Sequence, residues 1–138
     1  QLDLSSTSTA IWFEPEHLRR VLINLLDNAY RYASRQAACV QISTDLSRAS
    51  APQFEAILRV WSDGAPLDPS VERHLFEPFF SSESRSSGLG LYICRELCDS
   101  HAAVISYRRS ERTLAQRQVP GNEFNIRFNC RPSEPAAN

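Results

Sequence analysis

The chain has 138 residues, a formal net charge of −1 and a sequence pI near 6.3. This length suits one domain with its own core, and the balanced charge excludes a broad basic surface for nucleic acid. The longest apolar run is too short to span a bilayer, and no signal peptide is visible. Because the chain begins at Gln1 and contains no methionine, we expect it to be a piece of a longer protein.

The N-terminal part predicts an entry segment followed by a helix. Residues 1–9 are rich in serine and threonine and predict a linker or an edge strand, and residues 10–13 predict a short strand. A first helix is expected to begin at Pro15 and to run to about Ala33, because apolar residues recur there at helical spacing.

The middle of the chain predicts two strands and a short helix. Residues 39–46 and 54–61 alternate between apolar and polar side chains, as in half-buried strands, with a turn at 47–52 between them. Asp68 is expected to cap a short helix that ends at Leu75.

The C-terminal part predicts a helix and two strands. The helix covers about residues 89–100, and the strands cover 103–108 and 123–129, joined by an arginine-bearing loop that ends at Pro120-Gly121. Residues 131–138 have little to bury and predict a disordered tail. Together the elements favour a single α/β domain over residues 10–130, a two-layer sandwich of a mixed sheet with three helices on one face.

The first helix carries an unusual pair of asparagines. Asn24 and Asn28 lie four residues apart, one above the other beside the apolar stripe, and Arg31 follows on the same side. Asparagine is a mediocre helix former, and its amide oxygen suits Mg²⁺, while arginine suits phosphate. A solvated helix flank is the plainer alternative from this helix alone.

A second segment points to an anion site. The serine-rich loop 81–87 runs into Gly88-Leu89-Gly90, which open an apolar-periodic helix. Glycines let backbone N–H groups approach a ligand closely, and a helix N-terminus attracts negative charge. Alone this pattern is weak, since glycine is common in any loop.

Together, the two segments closely resemble the N box, F box and G2 box of the catalytic ATP-binding domain of sensor histidine kinases. That family belongs to the superfamily of gyrase, Hsp90 and MutL. The resemblance covers about residues 11–130, and residues 86–98 further resemble the sensor kinases that control type IV pilus genes.

The resemblance implies a Bergerat-type fold that binds ATP and Mg²⁺ between the helices and a lid, which corresponds to the loop 81–87 of this chain. Asn28 would be the principal Mg²⁺ ligand, with Asn24 assisting; both, with Arg31, would be the catalytic residues. Arg31 would contact phosphate and Tyr32 would pack at the nucleotide. Gly88, Leu89, Gly90 and Leu91 would face the phosphates from the start of the second long helix. Hydrolysing relatives carry a glutamate where this chain has Asn24, whose amide cannot act as a general base.

The acceptor of the phosphoryl group is expected on another domain. His17, His74 and His101 do not match the family's acceptor pattern and are interpreted as surface or packing residues. The resemblance therefore implies two partners: a dimerisation domain of the same protein, which bears the acceptor histidine, and a response regulator reached through it. It also implies a monomeric cytoplasmic domain of a parent in the bacterial inner membrane.

Two positions depart from the family pattern. The family reads adenine with Asp-x-Gly-x-Gly, whereas this chain has Ser62-Asp63-Gly64-Ala65-Pro66. The aspartate position therefore holds a serine, and Pro66 replaces the second glycine and restricts the backbone of the loop. The resemblance still implies that Ser62, Asp63 and Gly64 contact the nucleotide, and Ser62 can accept the same hydrogen bond more weakly. Asp63 could reach the base through a shifted loop, or it can simply cap an ordinary Asp-Gly turn. The lid lysine is replaced by Glu83, and Arg85 is the cation that could substitute.

Other interpretations remain open at this point. A degenerate kinase domain that serves as an interaction module fits the altered motif, and an ATPase of the gyrase or Hsp90 kind is disfavoured by Asn24. Cys94, Cys98 and His101 could suggest zinc, but buried cysteines that act as small apolar side chains are far commoner.

Overall fold

The computed structural model describes residues 2–3, 11–50, 53–80 and 88–130. Within these ranges the chain forms five strands and three helices. In chain order they are β1 (Leu2–Asp3), α1 (Pro15–Tyr32), β2 (Val40–Ser50), β3 (Gln53–Asp63), α2 (Pro69–Glu72), α3 (Gly90–Ser100), β4 (Val104–Leu114) and β5 (Arg117–Cys130).

The described strands form one mixed sheet with the order β1-β2-β3-β5-β4. β1 runs parallel to β2 at one edge, and all other neighbours are antiparallel. The helices α1 and α3 pack against one face of this sheet, which we call the inner face, and the opposite face is the outer face. The expected two-layer α/β sandwich is confirmed.

The core lies between the sheet and the two long helices. Val21 and Leu25 of α1 and Cys94 of α3 are fully buried there. They meet alternate residues of the central strands, chiefly Val60, Phe124 and Ile126. Burial of these side chains removes apolar surface from water and fixes which flank of α1 stays accessible. No helix among the described residues is long and apolar enough to cross a membrane.

The predicted bounds of both long helices are confirmed to within one residue. α1 begins at Pro15, where Glu14 accepts a hydrogen bond from the backbone N–H of His17 at 2.9 Å. This cap also lowers the pKa of the Glu14 carboxyl. α2 has the predicted cap, Asp68, but ends at Glu72 and not at Leu75, and turns continue the chain to Phe79.

The predicted strand at 10–13 is wrong for its described part. Residues 11–14 have no regular structure, and Ala10 lies outside the described residues. Phe13 is held by side-chain packing instead: its ring stacks on His101 at 4.0 Å and meets Phe128 edge-on. The alternation of Ile11 and Phe13 therefore reflects anchoring to the core and not pairing in the sheet.

Both hairpins are longer than the sequence predicts. β2 continues to Ser50, so the turn expected at 47–52 is shorter, and residues 51–52 lie outside the described ranges. The predicted arginine-bearing loop is wrong, because residues 109–114 and 117–122 extend β4 and β5. Ala115 and Gln116 make the turn with φ of 48° and 63°. Asparagine and glycine are the usual residues in such a turn, and neither is present here. The predicted tail at 131–138 lies outside the described residues.

Candidate nucleotide site

α1 and the start of α3 form one side of the candidate site, which we call the helix side: Asn24, Asn28 and the segment Gly88–Gly90. Asn24 is half-buried, and its Nδ2 donates to the carbonyl oxygen of Gly90 at 3.4 Å. This contact joins the middle of α1 to the first residue of α3, which follow each other only after 66 residues of chain. The structure thus brings together the two segments that the sequence singled out.

The rest of the asparagine flank continues along α1. Asn28 is half-buried one turn beyond Asn24, while Arg31 and Tyr32 are exposed in the last turn. Arg31 also lies where a cation favours the negative end of the helix dipole, so its position alone does not require a ligand.

The start of α3 is shaped by close backbone packing. Gly88 has φ of +70°, and a Cβ there would lie 2.6 Å from the carbonyl carbon of Phe79. Only glycine fits this approach, which places Gly88 against the backbone of Phe79 and Phe80. Leu89 stands at the N-cap without a side-chain cap, and a Cβ on Gly90 would meet nothing within 4 Å. The backbone N–H groups of Gly90 and Leu91 belong to the first turn of α3, where N–H groups have no partner within the helix and favour an anion.

The ends of β3 and β5 form the opposite side, which we call the strand side: Ser62, Gly64 and Asn122. Ser62 is 7% exposed and shares the inner face of β3 with Val60, because side chains alternate along a strand. Asn122 lies directly opposite on β5 and is 9% exposed. Two neutral polar side chains, Ser62 and Asn122, thus lie on the inner face where the apolar core ends and the candidate site begins.

Asp63 points away from Ser62 and is already bound. Its carboxylate accepts the backbone N–H of Ser34 at 2.8 Å and also the Ser34 hydroxyl. Its own N–H donates to the carbonyl of Cys39 at 2.9 Å. Asp63 therefore joins the end of β3 to the segment that follows α1, and its carboxylate caps the backbone at Ser34.

The loop after β3 is held from three directions. Asn122 Nδ2 donates to the carbonyl of Ala65 at 3.1 Å, and its Oδ1 accepts the Tyr107 hydroxyl. Arg109 donates to the carbonyl of Leu67 at 2.8 Å. Burial raises the pKa of the Tyr107 phenol, so it remains a hydrogen-bond donor across the neutral range.

Gly64 joins the strand side to α1. Its φ is +140°, its N–H donates to the carbonyl of Pro120 at 3.1 Å, and a Cβ there would lie 3.5 Å from the Tyr32 carbonyl oxygen. α1 therefore contacts α3 at Asn24 and the loop at Tyr32. These residues are eight positions apart, or about 12 Å along the helix axis, and Asn28 lies midway.

A polar cluster supports the strand side from the outer face. Glu123 is 1% exposed and is bound by Arg108 and, at 3.1 Å, by Arg112. Arg112 also lies over the fully buried ring of Trp61, at 5.5 Å from its centroid, and donates to Gln41. Trp61 adjoins Ser62 and Glu123 adjoins Asn122, so the cluster fixes both strands behind the site.

Sequence reasoning missed several of these residues. Asn122 continues the inner-face series of Phe124, Ile126 and Phe128, so a strand begun before 123 would have revealed it. No local signal marks Ser34 as the partner of Asp63. Arg85 and Glu83 lie outside the described residues, so the cation expected from the lid has no structural account.

The sequence matches the family described as histidine kinase-, DNA gyrase B- and HSP90-like ATPase over residues 13–132. This match covers most of the chain. The chain belongs to this family. Its similarity to sensor kinases identifies it as the ATPase-like catalytic domain of a sensor histidine kinase.

Among curated proteins, the chain is 37% identical to the sensor protein kinase PilS of Pseudomonas aeruginosa over 127 residues, 92% of this chain and 22% of that protein. It is 35% identical to the sensor protein KdpD of Escherichia coli over 130 residues, 86% of this chain and 14% of that protein. The chain thus spans about a fifth or less of the length of these relatives.

A solved structure with the same fold is that of the mycobacterial sensor histidine kinase MprB, with a TM-score of 0.71 and 23% identity. The match covers 96% of this chain and 83% of that one. Full-length ShkA in complex with AMPPNP has a TM-score of 0.67 and 19% identity, over 97% of this chain and 26% of that one.

Proposed function

We propose that this domain binds Mg²⁺-ATP between the helix side and the strand side and transfers its γ-phosphoryl group to a histidine on a dimerisation domain of the same protein. The observation that carries the proposal is the contact of Asn24 with Gly90, which unites an amide-bearing helix flank with a helix N-terminus. Such a site supplies neutral oxygen ligands and backbone donors to a polyphosphate.

The donor set fits Mg²⁺. The Asn24 Nδ2 is engaged with the Gly90 carbonyl. Engagement of the nitrogen leaves the amide oxygen for the opposite side, and Asn28 supplies a second amide. Mg²⁺ is commonly held by one or two protein oxygens with phosphate and water. When bound, it would neutralise charge on the phosphates.

The residues divide the remaining work. The first turn of α3, from Leu89 to Leu91, would hold phosphate oxygens, and Arg31 could approach them from the end of α1. Tyr32 would lie against the nucleotide beside Gly64. Because Asn24 is an amide, no general base stands at this position, so the site should retain ATP until an acceptor histidine arrives.

The cellular role follows from similarity alone. The relation to PilS supports a membrane sensor of the type IV pilus system as the parent, with a response regulator as the final acceptor. The alternative, an interaction module with weak nucleotide binding, is favoured by Ser62 and Pro66 in the altered loop.

Two measurements test the proposal. A titration of the chain with ATP, with and without Mg²⁺, should show binding that depends on the metal. The chain should then label a separately prepared dimerisation domain of its parent from γ-labelled ATP, and should not label that domain after its histidine is replaced by glutamine. Absence of ATP binding at millimolar concentration would favour the interaction module.

A further inference from the structure

We propose that the site accepts guanine as well as adenine nucleotides, with little preference between the two. The inference deepens the proposed function and rests on it, because it concerns the base that the strand side would contact. It follows from the chemical character of Ser62 and Asn122 and from the engagement of Asp63 elsewhere.

Ser62 offers a hydroxyl that both donates and accepts. It lies on the inner face at the end of β3, 7% exposed, between Val40 of β2 and Asn122 of β5. A serine hydroxyl rotates to suit its partner, whereas an ionised carboxylate only accepts. Adenine carries a donating amino group at its six-position and guanine carries an accepting oxygen. The hydroxyl can pair with either one.

Asp63 cannot restore the preference for adenine. It alternates to the opposite side of β3 from Ser62, and its two carboxylate oxygens accept the N–H and the hydroxyl of Ser34. The other buried carboxylate of this region, Glu123, faces outward and is bound by Arg108 and Arg112. Both negative charges are therefore directed away from the position of the base.

Asn122 is as permissive as Ser62. Its Nδ2 uses one hydrogen on Ala65 and its Oδ1 uses one lone pair on Tyr107. An amide has two hydrogens and two lone pairs, so one donor and one acceptor remain. The bonds to Ala65 and Tyr107 also fix the loop, and Arg109 does so at Leu67. Selectivity thus depends on fixed neutral groups that match both purines.

The experiment measures the affinity of the chain for ATP and for GTP in the presence of Mg²⁺, by calorimetric titration. We expect dissociation constants within about threefold of each other, since a neutral amphoteric group discriminates weakly. Ser62→Asp should shift the ratio by about tenfold or more towards ATP, because an acceptor-only charge pairs with the amino group and repels the oxygen.

The control is Ser106→Asp, the same change on the outer face of β4, which should leave the ratio unchanged. A preference for ATP of tenfold or more in the unmodified chain overturns the inference and leaves the proposed function standing. A ratio that Ser62→Asp does not move also overturns it, because Ser62 then does not contact the base. Failure of both nucleotides to bind overturns the proposed function and this inference together.

Discussion

The two sides of the site are supported in different ways. The helix side rests on an apolar layer, where Val21, Leu25 and Cys94 are fully buried beneath the asparagine flank. The strand side rests on a polar layer, in which Trp61 and Glu123 are enclosed by arginines on the outer face. An apolar layer tolerates exchanges of similar volume, whereas the buried carboxylate of Glu123 is destabilising unless its arginine partners are in place.

This difference bears on the departure from the family pattern at Ser62, which lies on the strand side. On the helix side Asn24 and Asn28 lie on the half-buried flank of α1, and the contact of Asn24 with the Gly90 carbonyl links the two helices. On the strand side Gly64 and Asn122 are fixed by contacts with distant residues. These contacts hold the loop without the Ser62 side chain, so the loop geometry does not depend on the residue at the position that we propose contacts the base.

The largest expected effect is on the helix side. Asn28→Ala should abolish Mg²⁺-dependent nucleotide binding, with a loss on the order of 3 kcal/mol, or about a hundredfold in affinity. The fold should remain, because Asn28 lies on the flank and not in the core. Titration with ATP at several Mg²⁺ concentrations measures the effect. Asp27→Ala, an exposed neighbour, is the control, and an unchanged metal dependence in the Asn28 variant would contradict the assignment.

The next effect concerns the polar support of the strand side. A Cβ on Gly121 would overlap the ring of Trp61, whose Nε1 is held by the Ser110 carbonyl at 2.9 Å. Gly121→Ala should lower the free energy of unfolding by about 3 kcal/mol, because a close-packed site cannot admit the methyl group. Urea denaturation measures the loss. Gly90→Ala has open space around it and should change stability by less than about 1 kcal/mol; equal losses in both variants would remove the packing explanation.

A smaller loss is expected where Asp63 joins the two sides. Asp63→Ala removes a buried carboxylate that binds Ser34, and should cost about 2 kcal/mol of unfolding free energy. A double-mutant cycle with Ser34→Ala should show most of this cost as coupling between the two residues. The ratio of ATP to GTP affinity should not change. A selective loss of ATP binding would mean instead that Asp63 reaches the base.

The helix side was largely predictable from the sequence because its information is local. The periodic apolar residues of α1 and the glycines before α3 set the helix bounds within one residue. What the sequence could not give was the set of contacts on the strand side. Ser34 and Asp63 are separated by 29 residues, and Trp61 and Ser110 by 49, so neither pair leaves a periodic trace.

The polar character of the second hairpin misled the prediction for a physical reason. Residues 109–114 carry arginines and a glutamate on both sides, which resembles a loop, yet β4 is an edge strand whose outer surface meets solvent. Charged side chains are common on edge strands, where they oppose pairing with other chains. The ladder partners of these residues, and not their own polarity, determine the strand.

The last prediction tests the apolar layer under the helix side, and its effect is absent at neutral pH and appears only in alkaline solution. Burial raises the pKa of Cys94 to about 12 and that of Cys98 to about 11, from an ordinary value of 9.0. The folded chain therefore holds these protons more tightly than the unfolded chain. The contribution of the two thiols to the free energy of unfolding should be complete below pH 9. It should fall as the pH rises towards 11 and 12, by at most about 1.4 kcal/mol per pH unit for each thiol. The 15 basic residues of the chain are all arginine, so no lysine titrates in this range.

Urea denaturation at pH 8.5 and 10.5 measures the fall in the free energy of unfolding. The Cys94→Ala/Cys98→Ala variant should lose much of it, leaving the smaller contribution of Tyr107, whose pKa is also raised. If the free energy of unfolding of this variant falls with pH as steeply as that of the unmodified chain, the titrating groups lie outside this layer.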